Sequence, residues 1–533
     1  MTGDWFPKRR LGDVVHDTAR RHGPRPALVF EGRRWTYDQL ATEVDRVAKG
    51  LMGLGVQTGD HVGIWMTNRP EWVFLQFAVA RVGAVTVGFN TRYRSEDAAY
   101  AIDQSDTTTL IVTDRSGPVD YAAMVRQIRG QLPKVQRLVV QGEDLIEGAL
   151  GWDQLLAAGD TISDAELRER AGGVDPDRPA LLIYTSGTTS LPKGAVHSHA
   201  WLRNNLERAQ MLGHTSNDVH LSYLPLFHAF GYSEVSVMAC LTGACQVLTE
   251  TFDADEVLDL AVAEGGTILH GFDTHWAELL AAQAARPRSL SLRMGTLAAG
   301  MDSSTAVARR VQEVFCPTVS GWGMSESWPF LACTHPTHSF EQRTEASGYP
   351  MTDIEFRLVD PATAADVAVG TPGELWARGY PIMQGYYRKP EATAEALDDQ
   401  GWLHTGDMVV LRPDGHLRFL GRYKDMLKIG GENVAPAEIE GRLADLPGVA
   451  EVAVVGLPDD RLSEVPVAFV VAVPGADLDA EAVLVHLRGK VASFKVPRHV
   501  VFVDGLPMTS SGKVRKVELR AAARERLVDP STG

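Results

Sequence analysis

Residues 184–194, Tyr-Thr-Ser-Gly-Thr-Thr-Ser-Leu-Pro-Lys-Gly, follow an apolar run at 180–183 and carry side chains that could bind phosphate. Within 184–193 there are five serine or threonine hydroxyls, one glycine and one lysine. Glycine lets the backbone approach a ligand, hydroxyls and amides donate hydrogen bonds, and lysine adds positive charge. The segment is not a GxxxxGK[ST] P-loop, because Lys193 precedes Gly194 and no serine or threonine follows. It predicts a phosphate-wrapping loop; taken alone, it could also be an ordinary serine- and threonine-rich surface loop.

Further segments that combine glycine with polar or charged residues follow along the chain. They are Gly321-Trp-Gly-Met-Ser-Glu326, Gly401-Trp-Leu-His-Thr-Gly-Asp407, Gly421-Arg-Tyr-Lys-Asp-Met-Leu-Lys428, Gly430-Gly-Glu-Asn-Val434 and Ser510-Ser-Gly-Lys513. With residues 184–194 these make six segments, and their order and spacing resemble the motifs of the adenylate-forming (ANL) enzymes. That superfamily includes acyl-CoA synthetases, adenylation domains of peptide synthetases and beetle luciferases. The resemblance covers nearly the whole chain, and its Gly430–Val434 segment is similar to the acyl-CoA synthetase branch.

The resemblance implies a two-step ligase reaction. A carboxylate first attacks the α-phosphorus of ATP, giving acyl-AMP and pyrophosphate, and the acyl group then passes to the thiol of coenzyme A. The first transfer gathers negative charge around phosphorus, which Mg²⁺ and protein cations must offset. ATP, Mg²⁺ and coenzyme A are therefore the expected cofactors, and a small-molecule carboxylic acid is the expected substrate.

The resemblance also assigns nucleotide-site residues by position. Ser186, Thr188, Thr189 and Lys193 would hold the β- and γ-phosphates, Glu326 would ligate magnesium, and Asp407 would accept both ribose hydroxyls. Trp322 stands where the family usually has a tyrosine stacked on adenine. Arg422 would contact the ribose and phosphates, and Lys513 would reach the substrate carboxylate and α-phosphate. The remaining residues assigned to ATP or AMP are Thr185, Gly187, Gly300, Gly321, Gly323 and Ser325.

The acyl and thiol sites are implied in the same way. The acyl pocket would involve His228, Phe230, Gly231 and Met301, with His228 near the carboxylate as a catalytic candidate beside Lys193, Glu326 and Lys513. Amino-acid adenylation domains typically place an aspartate at the position of His228, so an amino-acid substrate is not expected. Gly430 and Gly431 would lie beside the pantetheine, where missing side chains leave room for a narrow thiol tunnel, and Lys428 would face the adenylate.

Two residues depart from the family pattern. Ser190 stands where the phosphate loop usually has glycine, and the adenine-lining segment reads Ala298-Ala-Gly-Met301, with methionine in place of proline. These changes concern affinity and substrate range more than the reaction class, because the charged residues all remain.

Periodicity predicts the elements that must position these residues. Apolar residues recur at helical spacing from 36 to 54, with Thr36 and Gln39 as a capping box and Gly55 as a stop. Strands predicted between 61 and 298 alternate with helices such as 70–82, which indicates two parallel sheets covered on both faces. Beyond Gly348 short strands and turns predict a β-rich unit. After Asp425 the helices 436–443 and 480–491, with strands between and after them, predict an α+β domain.

The resemblance implies the corresponding α/β ANL fold and its boundaries. A large N-terminal AMP-binding domain, residues 1–421, would contain two doubly wound α/β subdomains and a distorted β-barrel at about 346–421. A hinge at 422–424 would connect it to a small mobile α+β C-terminal domain at 425–533. Domain alternation about Lys424 would bring a different face of the C-terminal domain to the site in each half-reaction.

Composition restricts the remaining function classes. Lys plus Arg number 52 and Asp plus Glu number 68, which gives a formal net charge of −16, with 44% apolar residues. These proportions exclude a disordered chain, and the acidic balance argues against a nucleic-acid partner. Four cysteines without a CxxC pair, no apparent signal peptide and no uninterrupted apolar span predict a cytoplasmic protein without an integral membrane segment.

Several alternatives remain open from the sequence. A ligase that loads a carrier-protein thiol would share every ATP motif, and a non-catalytic nucleotide-binding relative would bind ATP without exchanging pyrophosphate. A serine hydrolase is a more distant reading. The acid itself is undetermined among fatty, aryl and bulky alicyclic or terpenoid acids. The oligomeric state is also open, a homodimer being one arrangement.

Overall fold

The structure of the chain is a computed structural model. It describes residues 7–185, 192–299, 301–429, 432–459, 461–488, 491, 493–508 and 514–527.

The strands within these residues are numbered in chain order. They are β1 Pro26–Phe30, β2 Arg33–Thr36, β3 His61–Trp65, β4 Val85–Gly88, β5 Thr109–Thr113, β6 Arg115–Ser116, β7 Val119–Asp120, β8 Arg137–Gln141, β9 Leu150–Gly151, β10 Leu181–Thr185, β11 Lys193–His197, β12 Val219–Ser222, β13 Cys245–Leu248, β14 Ile268–Gly271, β15 Met294–Leu297, β16 Thr318–Val319, β17 Gly321–Met324, β18 Trp328–Cys333, β19 Tyr349–Pro350, β20 Ile354–Val359, β21 Gly373–Gly379, β22 Gly385–Tyr386, β23 Leu403–Leu411, β24 Leu417–Arg422, β25 Leu427–Ile429, β26 Glu432–Val434, β27 Val449–Asp459, β28 Ser463–Ala472 and β29 His499–Phe502.

The α-helices follow the same numbering. They are α1 Val14–His22, α2 Tyr37–Gly53, α3 Pro70–Arg81, α4 Ser95–Gln104, α5 Tyr121–Ile128, α6 Trp152–Ala158, α7 Asp164–Gly172, α8 Leu202–Met211, α9 Met238–Thr242, α10 Ala254–Ala263, α11 Asp273–Ala285, α12 Asp302–Val314, α13 Phe340–Glu345, α14 Pro390–Ala396, α15 Pro436–Ala444, α16 Ala480–Leu487 and α17 Lys516–Leu527. A π-helical segment, Gly231–Val237, leads into α9. None of the helices in the described ranges is both long and apolar enough to cross a membrane.

Two large sheets form the framework of the N-terminal part, as the alternating pattern predicts. One has seven strands in the order β16-β15-β14-β12-β13-β1-β2, parallel except for β2. The other has eight strands in the order β22-β11-β10-β4-β3-β5-β8-β9, with antiparallel β11 and β22 at one edge. The parallel strands of each sheet end at a common edge, where ligands bind in open α/β sheets.

Helix α3 shows why the sheets pack as they do. It is apolar nearly all round, and every residue from Pro70 to Arg81 except the partly exposed Glu71 is buried, as expected of a helix enclosed on nearly all sides. Its polar residues have partners: Gln76 donates to Ser236 Oγ at 3.1 Å, and Arg81 Nε donates to Asp45 at 2.7 Å. Gln76 and Arg81, the polar residues that interrupt this apolar stretch, are therefore buried and hydrogen-bonded.

Smaller sheets complete the fold, antiparallel except for β29, which pairs parallel with β28. Strands β17-β18-β19 form one, β20-β21-β23-β24 another, and β26-β25-β28-β27 with β29 form the sheet of the C-terminal part. Strand β22 lies within the predicted β-rich unit, yet it pairs with β11 of the eight-stranded sheet. The β-rich unit is thus joined to an α/β sheet by main-chain hydrogen bonds.

Local signals predicted most elements well and one helix end poorly. The capping box of Thr36 and Gln39 starts α2 as predicted, and Gly55 follows its end with φ +80°. The helix predicted over 480–491 ends instead at Leu487, because Arg488 adopts an extended conformation with ψ 129°. The apolar residue Val491, which suggested a continuing helix, forms a bridge to Arg488.

A buried ion pair joins α8 to the π-helical segment. Arg208 of α8 donates to Glu234 of the π-helical segment, with side chains 1% and 0% exposed. We expect Arg208→Met to destabilise the protein by about 3–5 kcal/mol, because Glu234 is left as an uncompensated buried charge. Thermal and denaturant unfolding would measure the loss, and Arg310→Met, which breaks the exposed pair with Glu313, should cost at most about 1 kcal/mol.

The double variant Arg208→Met/Glu234→Met should recover most of this loss, because both charges are then removed together. A single Arg208→Met variant as stable as the parent would contradict the assignment of this ion pair.

Candidate active site

Asp407 is held between two long side chains at the face of the four-stranded sheet. It lies in β23 opposite Arg422 of β24, with a side chain 3% exposed. Arg422 Nε lies 2.8 Å from Asp407 Oδ1, and Trp322 Nε1 donates to Oδ2 at 2.8 Å. The Asp407 carboxylate is the main reason that the pKa of Arg422 is raised. These two contacts fix the direction of the carboxylate, whose oxygens are hydrogen-bond acceptors.

A second group joins Glu326, Tyr386 and Lys193. Tyr386 Oη donates to Glu326 Oε1 at 2.7 Å, and Lys193 Nζ lies 4.8 Å from the centroid of the Tyr386 ring. Glu326 is 8% exposed. Burial and the negative charge of Glu326 raise the pKa of Tyr386, so its hydroxyl stays protonated and donates. Tyr386 thus bridges an anion and a cation, and sequence reasoning had not identified it.

The pairing of β22 with β11 creates this bridge. Tyr386 is opposite Ala195, two residues after Lys193. Thr185 is the register partner of Lys193 in the antiparallel pair β10–β11, so the two ends of the predicted phosphate loop meet. Glu326 and Tyr386 both contribute to the raised pKa of Arg422, which couples the two groups electrostatically.

The motif around Glu326 is a tight hairpin turn between β17 and β18. A Cβ atom at Gly321 would collide with the Phe330 ring, and one at Gly323 would collide with the carbonyl of Pro329. The Ser325 carbonyl accepts a hydrogen bond from His197 Nε2 at 2.7 Å. Burial lowers the pKa of His197 to about 4, so the ring is neutral and acts as a structural donor. The glycines therefore allow close strand approach, and His197 orients the turn.

The residues assigned to the acyl pocket lie around the start of the π-helical segment. The Phe230 amide donates to His228 Nδ1 at 3.3 Å, and the His228 ring meets Phe272 edge-on at 6.3 Å. A side chain at Gly231 would collide with the Pro225 carbonyl, so this turn needs glycine. Met301 lies apart from this segment as the N-cap residue of α12, where its carbonyl accepts from the Ser304 amide at 3.1 Å.

The predicted hinge lies in a short 3₁₀ turn, Tyr423–Asp425, directly after β24. Desolvation and the positive charges of Arg422, Arg520 and Lys193 lower the pKa of Lys424, against the opposing effect of Asp425. Lys424 is therefore within electrostatic reach of the phosphate-loop lysine. Of Lys428 the structure describes only the backbone, in β25.

Part of the predicted site lies outside the described residues. These positions are Ser186, Gly187, Thr188, Thr189, Ser190, Gly300, Gly430, Gly431 and Lys513. The two acidic residues of α15, the helix after the Gly430–Val434 segment, have partners within the C-terminal part. Glu438 pairs with Lys495 at 2.6 Å, and Glu440 accepts from the Val454 amide and from Lys516.

Comparison with known proteins relates the chain to a known enzyme family. The sequence model described as "AMP-binding enzyme" matches residues 15–387, and that of the AMP-binding enzyme C-terminal domain matches residues 438–513. The chain is 36% identical to the 3-[(3aS,4S,7aS)-7a-methyl-1,5-dioxo-octahydro-1H-inden-4-yl]propanoyl:CoA ligase of Rhodococcus jostii, over 94% of this chain and 96% of that one. It is 31% identical to human mitochondrial medium-chain acyl-CoA ligase ACSF2, over 97% of this chain and 88% of that one.

Solved structures agree over the whole fold. The anthranilate CoA ligase AuaEII in complex with anthranoyl-AMP superposes with a TM-score of 0.90 at 28% identity, covering 99% of this chain and 100% of that one. ATP-bound MatB from Rhodopseudomonas palustris superposes with a TM-score of 0.81 at 28% identity, covering 97% and 99%. With its nucleotide-type site and a family match over most of its length, the chain belongs to the AMP-binding enzyme family.

Proposed function

We propose that the chain is an AMP-forming acyl-CoA ligase that converts a carboxylic acid to acyl-AMP and then passes the acyl group to coenzyme A. The observation that carries the proposal is the Asp407 carboxylate fixed by Trp322 and Arg422 beside the Glu326–Tyr386–Lys193 group. The first group suits a ribose and the second a metal-bound polyphosphate. The names of the relatives, which are CoA ligases, support coenzyme A as the acceptor.

In this proposal different residues bind the ribose, the phosphates and the adenine of the nucleotide. The Asp407 carboxylate accepts the ribose hydroxyls, and Arg422 contacts the ribose and phosphates. Lys193 and the loop from Thr185 onward hold the β- and γ-phosphates. Adenine lies along two segments, one that contains Gly300 and one that contains Gly321, Trp322, Gly323 and Ser325.

Magnesium enters this proposal with the nucleotide. The Glu326 carboxylate is a hard anionic oxygen donor, which suits Mg²⁺. The described residues contain no cluster of three or more His, Cys, Asp or Glu residues that could hold a metal, which fits an ion bound by one carboxylate and by phosphate oxygens. Bound there, the ion would offset phosphate charge, while Tyr386 fixes the direction of the Glu326 carboxylate.

The two half-reactions use different residues of the C-terminal domain. Lys513 brings a positive charge between the substrate carboxylate and the α-phosphate, two anions that otherwise repel each other. A swing about Lys424 then withdraws Lys513 and presents Gly430, Gly431 and Lys428 to the acyl-AMP and the thiol.

The acid is a fatty, aryl or bulky alicyclic acid in this proposal. His228 is at the place where a substrate ammonium would need an aspartate, and Phe230 and Phe272 pack beside it. The relatives act on a fused-ring propanoyl acid, on medium-chain acids and on anthranilate, so ring-bearing and medium-chain aliphatic acids are the first to test.

A panel of acids tests the function directly. Acid-dependent exchange of labelled pyrophosphate into ATP would report adenylation, and chromatography would identify acyl-CoA when coenzyme A is added. Exchange with at least one acid, followed by acyl-CoA formation, is expected. Exchange without any transfer to coenzyme A, but with transfer to a carrier-protein thiol, would contradict the assigned acceptor. No exchange with any acid would contradict adenylation itself.

Tyr386→Phe tests the role of the bridge to Glu326. The ring that faces Lys193 is kept, but the hydrogen bond to the carboxylate is lost, so the Mg²⁺ concentration for half-maximal pyrophosphate exchange should rise about tenfold. Magnesium titrations of exchange, and of ATP binding by calorimetry, would measure this. Tyr387→Phe is a matched control, because its hydroxyl also donates to a carboxylate, that of Asp106 at 2.9 Å. Equal magnesium requirements in both variants would contradict the role of Tyr386.

A further inference from the structure

Three histidines, of which His220 and His270 are buried and His214 is partly exposed, form a cluster behind the acyl-pocket residues. His220 in β12 and His270 in β14 share one face of the seven-stranded sheet, because His220 is the register partner of Ile268. His214 follows α8 and packs against both. The ring centroids are 5.1 Å apart for His214 and His220, 5.7 Å for His220 and His270, and 6.4 Å for His214 and His270. We refer to these three residues as the histidine cluster.

The ring nitrogens of this cluster are mostly without partners. Within the described residues, five of its six ring nitrogens are buried and make no hydrogen bond; the sixth, His270 Nδ1, lies 2.9 Å from Thr296 Oγ1. His220 is 0% exposed and His270 is 1% exposed. The amide of Gln246, opposite His220 in β13, is also buried and unpaired within that part of the chain. Because buried polar atoms are costly to leave unpaired, this region calls for a polar occupant.

A chain of aromatic contacts connects the cluster to the acyl-pocket residues. The Phe272 ring contacts His228 at 6.3 Å and Phe230 at 5.1 Å. Phe230 in turn meets the His270 ring edge-on at 6.3 Å. The contacts therefore form a continuous series of rings from His228 to His270. The two phenylalanines within this series are apolar, and the histidine at its end is polar.

The charges around the cluster decide what kind of group it can bind. The positive charge of Arg208 is matched by its ion pair with Glu234. Burial, with the neighbouring His220, His214 and Arg208, lowers the pKa of His270 well below its usual value, so the ring is neutral. Neutral imidazoles offer one donor and one acceptor each, which suits an uncharged oxygen and not a second carboxylate. The described residues also offer no metal-binding group here.

We propose that the acyl pocket ends at the histidine cluster, and that the substrate acid carries a ketone or hydroxyl oxygen at the end remote from its carboxylate. His270 is then a specificity-determining residue that hydrogen-bonds this oxygen. The inference rests on the proposed function and adds the substrate class to it.

Matched acids test the inference. Kinetics of acid-dependent pyrophosphate exchange would compare 3-(4-oxocyclohexyl)propanoic acid with 3-cyclohexylpropanoic acid, and 8-oxononanoic acid with nonanoic acid. The parent enzyme should favour the oxo member of at least one pair by about 10- to 100-fold in kcat/KM, as expected for one hydrogen bond to an otherwise unpaired group. If the plain hydrocarbon acids are equal or better in both pairs, the inference is overturned.

Variants of His270 separate recognition from packing. His270→Leu should reduce the oxo preference to less than about threefold, mainly through KM of the oxo acid, whereas His270→Gln should retain part of it. His335→Leu, outside the cluster, should retain the full preference. If His270→Leu does not fold, the same ratio measured in His220→Leu replaces it. Full preference in the cluster variant would overturn the inference; absence of exchange with every acid would instead reject the proposed function on which it rests.

Discussion

Asp407→Ala should lower kcat/KM for ATP in pyrophosphate exchange by about 100-fold or more. The substitution removes the proposed acceptor of the ribose hydroxyls. It also leaves Arg422 without its nearest counter-charge and the Trp322 indole N–H without its acceptor. Losing hydrogen bonds to a charged, buried group costs about 1.5–3 kcal/mol for each bond, which is enough for this effect.

Comparison of three variants would identify the cause of the loss. Asp407→Asn keeps the size and one acceptor oxygen but loses the charge, so it should fall between the parent and Asp407→Ala. Asp399→Ala, in the exposed turn before β23, is the matched control and should behave as the parent. Calorimetric binding of ATP should weaken in parallel with kcat/KM. Unchanged ATP affinity in Asp407→Ala would contradict the assignment of Asp407 to the ribose hydroxyls.

Lys513→Ala should lower pyrophosphate exchange by about 1,000-fold while changing thioester formation from supplied acyl-AMP by less than about threefold. The cation is needed only when the carboxylate meets the α-phosphate, since acyl-AMP carries a single remaining phosphate charge when it meets the thiol. Separate assays of the two half-reactions would measure both effects. Arg526→Ala, which removes an exposed cation from the end of α17, is the control.

Equal loss in both half-reactions of Lys513→Ala would contradict the alternation of the C-terminal domain. In that case Lys513 would serve one fixed site, and no swing about Lys424 would be needed.

Motif reasoning identified residues that the fold does bring together. Trp322, Asp407 and Arg422 come from three separate strands, β17, β23 and β24, yet they form one hydrogen-bonded group. These three residues could be predicted from the sequence because a nucleotide site requires particular residue types in a particular order along the chain. The contact between Trp322 and Asp407 could not be predicted from the sequence. By resemblance, the position of Trp322 predicts only an aromatic ring beside adenine, whereas an indole N–H can also donate to the carboxylate and orient it.

Other functional contacts depend on the pairing of strands that are distant in the sequence, which local sequence patterns do not predict. Tyr386 reaches Glu326 only because β22 joins β11 across the chain, and no hydrophobic period signals that antiparallel edge. The only indication of Tyr386 in the sequence is the Gly-Tyr-Tyr segment at 385–387, which follows a turn. His220 and His270 likewise meet through the parallel order β12–β14, and each reads alone as an ordinary core histidine. Long-range register, and not residue type, therefore limited the prediction.

Transfer of isotope from the acid to AMP tests the central claim most directly. The chain would be supplied with an acid whose carboxylate carries two ¹⁸O atoms, together with Mg²⁺, ATP and coenzyme A, and the products would be analysed by mass spectrometry. If the carboxylate attacks the α-phosphorus, one ¹⁸O must remain on AMP when the thiol displaces it, and the acyl-CoA must retain the other. Unlabelled AMP, or label found in orthophosphate or pyrophosphate, would show that no acyl-AMP forms and would contradict the account.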